Sequence, residues 1–137
     1  MLVRAAVASA MLMMVAPVAA ADLPKGVYLR SQDLCAQARK ESLQAVIEAG
    51  NAMLSARGID AIEYNCEFVQ VTRASRIPTW LVDAVCEEPD YIWPDVLTVT
   101  ERMAGQLDVV SVKLDEPESG AIDNGGTFFL CEGLTAP

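Results

Sequence analysis

The chain has 137 residues, enough for one compact domain and too few for two ordinary ones. Its 10 Lys and Arg stand against 19 Asp and Glu, a net charge of −9, which argues against binding nucleic acid or anionic lipid, since both require clustered basic side chains. His is absent. That removes Ser-His-Asp and Cys-His arrangements, the commonest general base at neutral pH, and the usual mixed zinc ligand sets.

Residues 1–21 read as a secretory signal peptide: Arg4, an apolar run from Ala5 to Val15, Pro17, and a small-residue exit through Ala19, Ala20 and Ala21. The apolar run is shorter than the roughly 18 residues a membrane-spanning helix needs. Cleavage after Ala20 or Ala21 would leave residues 22–137 as a single small β domain, periplasmic or secreted, with no membrane insertion. Arg4 departs with the leader, so the mature domain is slightly more acidic still.

Pro24 and Gly26 punctuate a short tail, and Val27 to Arg30 suggests a first strand. Ser31 offers an N-cap, with an acidic residue in the following turn, so one short helix is predicted from about Gln32 to Lys40. Residues 42–57 admit helix or strand. Gly50 would weaken a continuous helix by ~1 kcal/mol, and Gly50-Asn51 between short apolar runs reads as a hairpin, which favours strand. Gly58 and Asp60 mark a turn. Ile62, Tyr64, Cys66 and Phe68 then share one face, the alternation of a half-buried strand.

Trp80 to Glu87, Val96 to Arg102, Leu107 to Leu114 and Thr127 to Glu132 are β-branched or aromatic runs that read as strands, with Ala104-Gly105 turning a hairpin. Trp80, Val82, Ala84 and Cys86 share an inward face. Asp115 to Gly126 reads as a long loop. The expected fold is mainly β: a small antiparallel β-barrel or curled sheet, closed or nearly so to protect its edges, with one short N-terminal helix and disulfide bracing. Met53, Leu54 and Met103 are expected as core filler.

Cys35, Cys66, Cys86 and Cys131 allow three pairings. No C-x-x-C pair occurs, which removes the common redox and zinc motifs. In an exported chain they are expected to cross-link. Strand phase favours Cys35 with Cys66 and Cys86 with Cys131.

The order Gly26-x-Tyr28, Cys35 in a small-residue run, Glu63-Tyr64-x-Cys66, Ala84-x-Cys86-Glu87-Glu88 with Trp93 and Asp95, and an aromatic run ending at Cys131 carries a resemblance. It resembles a loose group of small, largely uncharacterised four-cysteine exported bacterial (periplasmic) proteins, with an acidic and aromatic patch after the third cysteine. Pro89 and Asp90 stand where that group usually has glycine. The resemblance implies a small β domain and no particular activity.

The candidate binding residues are Glu87, Glu88, Asp90, Tyr91, Trp93 and Asp95. Paired carboxylates beside aromatic rings could cleave a glycosidic bond, using Glu87 or Glu88 with Asp95. The competing reading is a solvated acidic loop with Trp93 packed beneath it. Asp115, Glu116, Glu118, Asp123 and Asn124 could gather round calcium, but their spacing departs from the EF-hand loop. No catalytic residue, metal or cofactor is assigned. The sequence thus points to a binding module that is not an enzyme, with a basic secreted or periplasmic protein as partner, or alternatively to a structural subunit of an envelope assembly.

Overall fold

The computed structural model describes residues 22–113 and 122–137. The leader, most of the loop expected after Asp115, and Asp115, Glu116 and Glu118 of the calcium reading lie outside the described residues. In chain order the elements are β1 (Tyr28–Leu29), α1 (Gln32–Lys40), α2 (Leu43–Glu48), β2 (Met53–Leu54), β3 (Gly58–Ala61), β4 (Tyr64–Arg73), β5 (Thr79–Glu88), β6 (Tyr91–Met103), β7 (Gln106–Ser111) and β8 (Gly126–Leu130). All pairings are antiparallel. The sheet closes as a barrel in sequence order, with β8 returning to β1.

Alternation along the long strands fills the interior. Trp80, Val82, Ala84 and Cys86 of β5 and Trp93, Asp95, Leu97 and Val99 of β6 are all buried. With Tyr28, Leu54, Ile59, Leu107 and Phe128 they form the barrel core. A second, smaller core lies outside the barrel wall, where Leu29 and Met53 meet Cys35, Ala38, Val46 and Cys131. One-residue alternation produces both: Tyr28 and Leu54 face in, while their neighbours Leu29 and Met53 face out and need a cover.

The two helices supply that cover. Ser31 accepts the Leu34 amide at 3.2 Å and starts α1, as the sequence predicts. The second helix corrects the strand expected within residues 42–57. Ser42 caps it in the same way, accepting the Ala45 amide at 3.0 Å. Gly50, at φ +90°, ends it, and the Asn51 side chain bonds the Val46 carbonyl at 2.9 Å. Gly50-Asn51 is therefore a helix stop and not a hairpin turn.

Other differences follow from where the turns fall. Gly58 and Asp60 belong to β3, because the preceding turn comes earlier, at Ser55–Arg57. A Cβ on Gly58 would meet the Cys66 carbonyl oxygen at 2.3 Å, so only glycine lets β3 approach β4 here. Ile62 sits exposed in the two-residue turn between those strands, not on the inward face with Tyr64 and Cys66. Met103 is exposed as well, while Met53 and Leu54 are core residues as expected.

The disulfides also correct the expected pairing. They join Cys35 with Cys131 and Cys66 with Cys86. Cys66 and Cys86 stand directly opposite each other on β4 and β5, both facing the lumen. Cys35, on α1, lies outside the wall and meets Cys131 just beyond the end of β8. A Cys35–Cys66 bond would have to cross the sheet itself.

Candidate functional site

One mouth of the barrel gathers most of the candidate residues. The β3–β4 turn at Ile62-Glu63 and the β5–β6 turn at Pro89-Asp90 both lie there, and the segment 122–125 enters β8 from the same side. Proline fixes φ near −65° at the first turn position, and Asp90 follows at φ +68°, the signs of a type II turn in which glycine is preferred second. Asp90→Gly is thus expected to stabilise the domain by about 0.5–1 kcal/mol, read as a melting temperature a few degrees higher. An unchanged or lower value would show that Asp90 is held by something other than the turn.

Below this rim the aromatic rings form a series. Tyr91, half exposed, lies 5.6 Å from Trp93 between ring centroids, and buried Trp93 lies 6.1 Å from Tyr64. Trp93 therefore packs inside the barrel, as the loop reading expects. Glu87 and Asp90 are exposed, and Glu88 is half-buried at the rim. Glu63, Glu87 and Glu88 line an acidic depression of about 390 Å³ between the two turns, together with Tyr64, Asn65 and Pro89.

Asp95 is somewhere else entirely. It points into the lumen, is 2% exposed, and its oxygens accept four hydrogen bonds: from the Val96 amide at 2.8 Å, the Lys113 amide at 3.1 Å, the Ser111 hydroxyl at 2.6 Å and the Asn124 side-chain amide at 3.0 Å. Asn124 is the hub of this network. Its oxygen accepts the Tyr64 hydroxyl at 2.5 Å, and its nitrogen lies 3.5 and 3.4 Å from the sulfurs of Cys66 and Cys86. The buried polar side chains of this network thereby gain partners in place of water, whereas the buried Trp80 indole nitrogen finds none among the described residues.

Arg30 holds the segment around Asn124 in place. Its guanidinium donates to the Gly125 carbonyl at 2.6 Å and to the Asp123 carbonyl, and it lies 3.9 Å over the Phe128 ring. Burial lowers its pKa, an effect opposed by the nearby Asp123 carboxylate. Gly126, at φ +118°, makes room for it: a Cβ there would meet the guanidinium at 2.6 Å. The sequence marks Asn124 only as a loop residue and a candidate calcium ligand. Its role depends on the long-range closure of β8 onto β7 and β1, which no local pattern announces.

The geometry separates the carboxylates that glycosidic chemistry would bring together. Asp95 is paired with Ala84, and Glu88 lies four residues further along β5 at the rim, while four hydrogen bonds hold the Asp95 carboxylate inside the barrel. Glu87 faces the opposite side of the sheet from Asp95. Among the described residues no group of three or more acidic or cysteine side chains could hold a metal ion.

What the fold and this mouth define is a disulfide-braced eight-stranded antiparallel barrel, sealed at one end by a buried Tyr-Asn-Asp network beneath an acidic and aromatic rim. Comparison with protein-family models, curated proteins and solved structures finds no match. The two disulfides fit an oxidising environment, and no helix among the described residues is long and apolar enough to cross a membrane.

Proposed function

We propose that this chain is a periplasmic or secreted binding domain that captures a cationic secreted protein, for example a basic lysozyme, by non-covalent contact and not by catalysis. The observation that carries the reading is the division of labour among its carboxylates. Asp95 is committed to four hydrogen bonds inside the barrel, whereas Glu63 and Glu87 border an open depression at the mouth. An acidic hollow with an aromatic rim suits a Lys or Arg side chain, whose charge is drawn to the carboxylates and whose stem lies along the ring.

Net charge supports the same reading, since an acidic surface steers a basic protein toward encounter. Titration calorimetry of the disulfide-intact domain against a basic lysozyme is expected to show binding that weakens at least about tenfold between low and high salt. A Glu63→Gln/Glu87→Gln variant should bind more weakly at low salt. Absent or salt-insensitive binding would count against capture.

A further inference from the structure

The two sides of the barrel differ in what covers them. Outside β1 and β2, the outward side chains Leu29 and Met53 are buried beneath the helices, which pack on β1, β3 and β8. β5 is four strands away from β1 in either direction round the closed sheet, on the far wall. Two of its outward positions are apolar as well, yet Leu81 is 52% exposed and Val85 42%, with Val110 and Val112 beyond β6 at 67% and 59%.

Register sets these side chains on one outward face, with β6 between them. Leu81 stands opposite Thr98, Thr98 opposite Val110, and the Val112 amide donates to the Val96 carbonyl. Asp83 occupies the middle, paired with Gln70 on one side and Val96 on the other, with Leu81 and Val85 two residues away on its own face. No Lys or Arg occurs between Leu81 and Glu88, between Tyr91 and Glu101, or along β7. Among the described residues the Asp83 carboxylate makes no ion pair or hydrogen bond.

We infer that this outer wall is the docking face for a basic protein partner that sets one Lys or Arg, flanked by apolar side chains, against Asp83. The inference rests on the capture reading and deepens it by naming the surface and the chemistry that fits it. Apolar neighbours would exclude water from the ion pair, as the surround of an interface hot spot does. A second copy of this chain meets the requirement less well. The cation that β6 carries beside this wall, Arg102, is already paired with Asp108 at 2.9 Å, so a two-fold contact would set Asp83 against a committed guanidinium. Glu87 continues the outward row from Val85 to the acidic mouth, so one partner can span both.

NMR shift mapping of the disulfide-intact domain tests this, using a short synthetic peptide with Lys residues set in an apolar face and a counterpart carrying Glu in their place. The Lys peptide alone is expected to move the resonances of Leu81, Asp83, Val85, Val96 and Val110. Asp83→Asn should weaken its binding about tenfold. Leu81→Ser/Val110→Ser, substitutions at exposed positions, should weaken it as well. Shifts confined to Pro89, Asp90 and Tyr91 would overturn the wall assignment and leave the capture reading standing. Equal binding of both peptides, or an unaffected Asp83→Asn variant, would overturn the proposed charge pairing. Dimerisation through these residues, seen by sedimentation without peptide, would overturn it in favour of self-association. Absence of shifts from both peptides would overturn the wall, and the lysozyme titration then decides whether capture falls too.

Discussion

Replacing both Cys35 and Cys131 with Ala is expected to lower the unfolding free energy by about 4 to 5 kcal/mol, the larger of the two disulfide effects in this chain. The bond spans 96 residues of sequence, so cutting it releases almost the whole described domain to the unfolded ensemble. The Cys66–Cys86 bond spans only 20, and its loss should cost about 3 kcal/mol by the same reasoning. Domains of this size have a total stability on the order of 5–15 kcal/mol, so the first variant should be close to unfolding at body temperature. Urea denaturation of the two double variants measures the difference. The reverse order would mean that the bonds act through packing in the lumen more than through restriction of the unfolded chain.

Asp95→Ala is expected to destabilise by roughly 3 to 5 kcal/mol, because it strips an acceptor from several buried donors at once. The Ser111 hydroxyl, the Asn124 amide and the Val96 amide all lose the bond they make to it. Asp95→Asn keeps the shape but turns one oxygen into a donor, and should cost less. Hydrogen exchange distinguishes this account from a general loosening: the Val96 and Lys113 amides should lose protection before those of Val82 or Leu97. A melting temperature within a degree of the parent would remove Asp95 from its structural role. It would also return that carboxylate to consideration as a functional group.

Much of the barrel was readable because period-two alternation is a local signal. Trp80, Val82, Ala84 and Cys86 declare the inward face of β5 from the sequence alone, and Ser31 announces α1. What alternation cannot carry is which strand meets which, or on which side of the wall a cysteine lies. Cys66 and Cys86 bond because register sets them opposite each other, while Cys35 and Cys131 bond in the core outside the sheet. Residues 42–57, which hold both α2 and β2, stay ambiguous in sequence for a related reason. Gly50 and Asn51 serve equally well as a hairpin turn or a helix terminus, and the Ser42 cap decides for helix. Of the candidate site, Glu87, Glu88, Asp90 and Tyr91 do share the mouth. Trp93 and Asp95 belong to its interior, and Asn124, which ties the interior together, is legible in the sequence only as a loop residue or a candidate calcium ligand.

Closure of the sheet constrains how this protein can be recognised. Each strand has a neighbour on both sides, but the cover is uneven: β3 pairs only with Tyr64–Glu67 of β4, so among the described residues the far part of β4, to Arg73, is paired on the β5 side alone. Recognition by strand addition, which tolerates many sequences because it reads main chain, is therefore confined to such short uncovered stretches. Elsewhere a ligand must be selected by the side chains the barrel displays, and its affinity should respond sharply to single substitutions on either partner.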